Sequence, residues 1–149
     1  MTYELRELAT PEDWEAMHRI REQVLFTPER HPGIVYDRAH PHDIDPAHIK
    51  FVLMHDGEPI GTTRLDPRAE GGIVRLVAIV PHLQRQGHGS VLESMVADHA
   101  AARGMRRLWL NSAPDAVGFY EKRGWTRLVW DEAELAGVAM GCVQMTRLL

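Results

Sequence analysis

The stretch "VAIVPHLQRQGHGSVLESMV", residues 77–96, decides how the rest of the chain is read. It passes from an apolar, strand-like run through Pro81 to a glycine pair, Gly87 and Gly89, and then into an amphipathic segment. A helix opening there offers unpaired N–H groups and the positive end of its dipole to whatever lies before it. Neither glycine carries a side chain, so the amides from Arg85 to Ser90 can wrap an anion, and Arg85 can add a charge-assisted contact. The same glycines would also serve a plain tight turn. The context has to separate the two.

Composition bounds the answer first. The chain of 149 residues, 44% apolar and 26% charged, reads as one soluble globular domain spanning 1–149. No apolar run approaches the roughly 20 residues of a membrane span. The opening "MTYELRELATPEDWE" carries acidic residues and lacks the apolar core of a signal peptide. Cys142 is the single cysteine, which excludes an internal disulfide framework and fits a reducing, cytoplasmic setting. A net charge of −4 without a basic stripe argues against nucleic-acid binding and is compatible with an amine substrate.

Local patterns then place the elements. "YELREL" (3–8) alternates as a first strand, and Thr10-Pro11-Glu12-Asp13 starts a helix whose Trp14, Met17, Ile20 (or Arg21) and Val24 recur at helical spacing. Residues 28–48 hold four prolines and four histidines without periodicity, so they read as a long loop with at most a short helix. "IKFVLMH" and "EPIGTTRLD" flank Asp56-Gly57, a hairpin signal. "GGIVRLVAIV" (71–80) suits a central strand buried on both faces. The helix after Gly89 shows Val91, Leu92, Met95, Val96, His99 and Ala100 on one stripe and stops at Gly104. A strand over 106–111, a helix over 113–124 and closing strands in "WTRLVW" and "GCVQMTRLL" complete the chain. The expected fold is α/β: one domain with a mixed, mainly antiparallel sheet of seven strands, a single crossover at its centre and flanking helices.

Two phosphate-binding loops are excluded. A nucleotide P-loop needs Lys after its last glycine, and Ser90 stands there. A dinucleotide fingerprint needs a third small residue where the chain has Leu92. The hexapeptide Gln84-Arg85-Gln86-Gly87-His88-Gly89, directly after "VAIVP", instead resembles the pyrophosphate motif of the GNAT superfamily of acyl-CoA-dependent N-acyltransferases. A second block, "AVGFYEKRGW" (116–125), resembles that family's "A-x-x-F-Y-E-K-x-G-F/W" and follows in the family's order. The resemblance spans residues 50–147.

That resemblance implies a GNAT-like fold, acetyl-CoA as co-substrate with no metal, and transfer of an acetyl group to a small-molecule or protein amine by direct attack. It places Val77, Ala78 and Ile79 on a splayed central strand, offering backbone groups to pantetheine. It places Gln84, Arg85, Gln86, Gly87, His88, Gly89 and Ser90 around the pyrophosphate, and Asn111 beside the pantetheine. Phe119 and Tyr120 fall close to the thioester, with Lys122 and Arg123 near the adenosine phosphates. Tyr120 is the candidate acid for the leaving sulfur; its alternative is a core tyrosine packed on the sheet. A backbone N–H near Ile79 is the candidate oxyanion donor.

The remaining residues read less sharply. Glu70, His82, His55 and Asp66 are candidate bases, beside a water relay. His88 reads as a solvent-facing filler and Cys142 as a buried small side chain. The spacing of His31, His40, His42 and His48 matches no metal motif. In the family this segment and a later loop, here 131–140, shape the acceptor pocket. Asp37, Asp43, Asp45, Asp131, Glu132 and Glu134 could there attract an ammonium group. The closing strands could pair across a homodimer. A non-catalytic acyl-CoA binding or sensing module is the alternative function: it would keep the glycine turn without needing Tyr120.

Overall fold

The first helix begins where side-chain chemistry lets it. In the computed structural model, which describes residues 2–149, Thr10 Oγ1 accepts from the Asp13 N–H and Asp13 Oδ2 accepts from the Thr10 N–H, both at 3.2 Å. This capping box, with Pro11 at the first helical position, starts α1 (Pro11–Val24) after β1 (Tyr3–Glu7). Met17 and Ile20 on its apolar stripe are fully buried. The 28–48 segment contributes α2 (Pro41–Ile44), a single turn entered through Pro41. Strands β2 (Ile49–His55) and β3 (Glu58–Arg68) are joined at Asp56 and Gly57, whose φ of 50° and 83° are those of a tight primed hairpin turn.

Strand β4 (Gly71–Ile79) runs antiparallel to β3 and parallel to β5 (Arg107–Ser112), the crossover being α3 (His88–Ala102). The sheet order is β1-β2-β3-β4-β5-β7-β6, with β6 (Thr126–Arg127) and β7 (Val143–Leu148) antiparallel beyond β5. Alternation along β2 sends Ile49 and Phe51 to the α3 side and Val52 to the α1 side, where Ala16 and Met17 cover it. The core on the α3 side gathers Leu65, Ala97, Ala100, Leu108, Leu110, Val117, Trp125 and Met145. Among the described residues no helix is long and apolar enough to cross a membrane.

Three elements differ from expectation. The second helix is a turn at Pro114–Ala116 followed by α4 (Val117–Glu121); Pro114 and Gly118 leave too little helix-forming sequence for more. β6 is two residues long because the chain then leaves the ladder: the Trp130 and Asp131 N–H groups donate to Gln144 Oε1 at 2.8 and 2.9 Å. After it comes α5 (Glu132–Leu135), capped by Asp131. β7 lies inside the sheet, between β5 and β6.

Candidate active site

The central strand is bulged. Thr62 pairs with Ala78 and Arg64 with Arg75, so Leu76 and Val77 together oppose Thr63. Leu76 adopts φ +56°, uncommon for a side chain of this size, and Thr63 Oγ1 donates to the Arg75 carbonyl at 2.8 Å. Beyond this point β4 and β5 part: their pairing runs from Gly71–Arg107 to Val74–Leu110 and stops. The Val80 N–H donates to the Ile60 carbonyl of β3 at 2.9 Å. Strand alternation then turns the N–H and C=O of Ile79 into the gap, and those of Ala78 toward β3. Ala78 therefore offers the gap no backbone group, unlike its neighbour. The Ile79 carbonyl accepts from Gln84 Nε2 at 2.9 Å, which leaves its N–H as the group facing the opening.

At the wide end of the gap stands the glycine turn. Gly87 caps α3 with φ +91° and no side-chain hydrogen bond closes the helix start, so the first-turn amides of His88, Gly89 and Ser90 face outward uncapped. Arg85, at φ +63°, is exposed, as are Gln84 and Gln86; Gln86 Nε2 donates to the His82 carbonyl at 3.2 Å. A Cβ on Gly89 would lie 3.7 Å from Phe119 Cζ, so the two sequence blocks meet here. His88 is not solvent-facing: it is 8% exposed, its Nδ1 lies 2.8 Å from the Tyr3 hydroxyl, and its ring packs on His55 at 5.1 Å. The first helical position points the side chain back over β1 and β2, which the sequence around the glycines does not reveal.

Between α3, α4 and the parted strands lies a cleft of about 400 Å³, counting its open mouth. Gly89 and Phe119 stand in its wall with Val74, Val77, Leu110 and Tyr120, and Val96, Leu108 and Trp125 line it as well. Tyr120 packs edge-on against Trp125 at 5.6 Å. Burial, and secondarily the Glu93 carboxylate, push its phenol up to about 12. Glu93, in the apolar stripe of α3, accepts from Trp125 Nε1 at 3.0 Å, from Arg123 Nε at 2.9 Å and from Arg147. Arg123 is thereby committed and does not reach toward a phosphate, whereas Lys122 at the end of α4 is exposed.

The opposite face carries a continuous chain of charges. Arg21 Nη1 donates to Asp43 (2.8 Å), Arg64 bonds both Asp43 (3.0 Å) and Asp66 (2.7 Å), and Arg75 bonds Asp66 (3.0 Å). Arg75 also grips both oxygens of Glu134 at 2.9 Å, which accepts from Asn111 Nδ2 at 3.0 Å; Asn111 Oδ1 in turn accepts from Gln144. Asn111 thus spends its side chain on α5 and β7. Burial pushes the Asp43 carboxyl up, but Arg21 and Arg64 more than offset it and hold it below the usual range. The Arg75 hydrogen bonds hold Glu134 low as well.

These pairings commit two of the carboxylates expected to attract an ammonium group, Asp43 and Glu134, while Glu132 stays exposed. Asp43 is 2% exposed and shared by two arginines, Glu134 is clamped, and Asp131 is spent as the α5 cap. Asp37 and Asp45 accept from backbone N–H groups of their own turns. Of the candidate bases, Asp66 is held by Arg64 and Arg75, Glu70 sits in the turn before β4 at the closed end of the gap, and His55 is stacked on Tyr3 at 4.2 Å. His82 is exposed at the open end. Among the described residues no group of three or more His, Cys, Asp or Glu side chains is placed to hold a metal ion. Cys142 is half-buried, its thiol pushed up by burial. Arg64, Arg75, Glu93 and Thr63 went unread in the sequence; for the first three the only signal was charge inside otherwise apolar strand and helix stripes, and for Thr63 there was none.

The fold and both sequence blocks have counterparts among known proteins. The family model described as the acetyltransferase (GNAT) family matches residues 12–125. A candidate N-acetyltransferase from Lactobacillus plantarum is 25% identical, with TM-score 0.79 over 100% of this chain and 99% of its own. The N-acetylglutamate synthase from Neisseria gonorrhoeae, complexed with coenzyme A and N-acetyl-glutamate, aligns at 20% identity and TM-score 0.74, over all of this chain but 35% of its own. The PaiA N-acetyltransferase from Thermoplasma acidophilum in complex with coenzyme A aligns at 16% identity and TM-score 0.72 over 100% of both chains. A parted β4–β5 pair, a glycine-opened α3 and a family match over most of the length lead to one conclusion: the chain belongs to the GNAT family of acetyltransferases.

Proposed function

We propose that the protein transfers an acetyl group from acetyl-CoA to a primary amine of a small molecule or protein, by direct attack in a ternary complex. The observation that carries this reading is the gap between β4 and β5, with the uncapped start of α3 at its mouth and Tyr120 on its wall. The first-turn amides and Arg85 would take the pyrophosphate, and the pantetheine arm would lie along β4 in the gap, which leaves the Ile79 N–H to the thioester. Lys122 stands free for the adenosine phosphates.

In the reaction the amine lone pair attacks the thioester carbon, a C–N bond forms, and the C–S bond breaks. The Ile79 N–H is the oxyanion donor to the carbonyl as charge develops there. The amine gives up its proton to water or to a base. With its phenol near 12, Tyr120 keeps its proton at neutral pH. An ordinary thiol titrates near 8.5, so full transfer from this phenol to the thiolate is uphill. Tyr120 therefore acts as a hydrogen-bond donor to the leaving sulfur more than as a strong acid. A hydrogen bond to a charged group contributes about 1.5–3 kcal/mol, which sets the expected loss in Tyr120→Phe at roughly 10- to 100-fold in kcat. Free-thiol release from acetyl-CoA with a panel of amines checks this, with CoA affinity retained in the variant. Unchanged kcat would remove Tyr120 from the chemistry. Tight CoA binding without turnover of any amine would favour a non-catalytic binding module.

A further inference from the structure

We propose that Tyr3 and His88 are positioning residues for the cofactor: the Tyr3 hydroxyl holds the His88 ring against β1 and thereby sets the direction of the first-turn amides of α3. The proposal rests on the acyl-CoA reading above and deepens it, since those amides are the ones that would take the pyrophosphate.

Three observations carry it. First, little else holds the turn. Of residues 84–90 only His88 is buried; Gln84, Arg85, Gln86 and Gly87 are exposed, and Gly89 and Ser90 are half-buried. A Cβ on Gly87 would meet nothing within 4 Å, and one on Gly89 would touch only the Phe119 ring. No side chain caps α3, and the Gly87 carbonyl accepts from the Val91 N–H at 3.3 Å. His88 thus stands between two glycines, whose backbone is free to take many conformations unless a contact outside the turn selects one.

Second, the tie reaches a well-fixed place. His88 Nδ1 lies 2.8 Å from the Tyr3 hydroxyl, across 85 positions of sequence. Tyr3 opens β1 and stands opposite His55 in the β1–β2 ladder. Its ring stacks on His55 at 4.2 Å, and the His88 ring completes the group at 5.1 Å from His55. Beside it the Thr2 N–H donates to Asp56 Oδ1 at 2.8 Å and the Asp56 N–H to the Thr2 carbonyl at 2.9 Å. These bonds pin the strand start to the β2–β3 hairpin.

Third, the residue that is held is itself one of the donors. The His88 N–H is the first of the uncapped amides, and its ring is the part anchored on β1. Anchoring the ring sets where that N–H points, and the ring stays out of the anion's path. Amides already aimed at a phosphate lose little freedom when it binds.

Nitrogen-15 relaxation of the free protein and calorimetric titration of CoA, each in the wild type and Tyr3→Phe, decide it. Tyr3→Phe keeps a ring on His55 and removes only the hydroxyl. The wild-type His88, Gly89 and Ser90 amides are expected to show order parameters of about 0.85. In Tyr3→Phe these are expected to fall, with CoA binding weakened ~3- to 10-fold by the loss of one hydrogen bond. His88→Ala is expected to reproduce both changes, and Tyr3→Phe to add little on top of it, because the two residues act as one unit. Amide order and affinity both unchanged in Tyr3→Phe overturn the proposal and leave the acyl-CoA reading intact. Either change without the other overturns it as well. A folded wild type that binds no CoA overturns the acyl-CoA reading and this proposal with it. Tyr3→Phe alone decides the matter where His88→Ala does not fold.

Discussion

Tyr120 shows how one residue's surroundings set its chemistry. Packed on Trp125 and facing Glu93, it holds its proton to about pH 12 in the fold against about 10 in the unfolded chain. The fold binds that proton more tightly, so the stability it confers is complete below pH 10 and is lost as pH rises from 10 through 12. Phenolate absorbance should accordingly show a component titrating near 12 that is absent from Tyr120→Phe, and Tyr120→Phe should flatten the alkaline end of the stability profile. A Tyr120 that titrates near 10 would contradict its burial. Gly87 is the other decisive residue. Its φ of +91° is one an L-residue adopts at a cost of about 1–2 kcal/mol, although a Cβ there meets nothing within 4 Å. Gly87→Ala should therefore lower the midpoint of denaturant unfolding by that amount through backbone strain alone; no loss would mean that the turn relaxes. Both residues were legible in the sequence because each sits in a block whose spacing matches a family pattern. Arg75 and Glu93 were not, because alternation shows that a charge lies in an apolar run without showing which neighbours receive it.

At the scale of elements, local chemistry was a sound guide wherever it alone sets the outcome. The Thr10–Asp13 capping box, the Asp56-Gly57 hairpin and the glycine start of α3 all formed where their residue types require. Tertiary contacts set the rest. The bulge that places two β4 residues against Thr63 carries no glycine or proline to announce it, and Leu76 holds its positive φ only because Thr63, Arg75 and the strands around them fix it. β6 shrank because Gln144 captured the N–H groups of the chain after it. The charged chain from Arg21 to Glu134 ties α1, α2, β3, β4 and α5 together, and Asp43 is its innermost carboxylate. Asp43→Ala leaves Arg21 and Arg64 buried without that partner, and the expected cost is about 3–5 kcal/mol, read by denaturant unfolding. Its carboxyl is held below the usual range, so the stability it gives is present above about pH 4 and falls away as pH drops further. Asp43→Asn should show a weaker acid dependence than the wild type. An identical acid limb would mean that other carboxylates set it.

The whole molecule is a sheet with two differently equipped faces and one opening between them. On the α3 and α4 face an apolar cleft leads inward from the glycine turn; on the α1, α2 and α5 face paired charges surround the approach to the same gap. The overall plan was visible in the order of elements, since a single crossover amid antiparallel strands fixes which pair is parallel. The contents of the charged face were not visible, because its members come from five elements distant in sequence and its acidic residues proved to be partners of arginines rather than free charges. The account as a whole depends on the turn at α3 holding a phosphate-bearing cofactor. The most direct test is calorimetric titration of CoA into the wild type and Gly89→Glu. A side chain at Gly89 meets only Phe119 at an ordinary contact distance, so the variant should keep its fold while placing a carboxylate at the helix start. Micromolar binding by the wild type, weakened by at least about tenfold in the variant through charge repulsion, is the predicted result. Equal binding by both proteins, or none by a folded wild type, would contradict it.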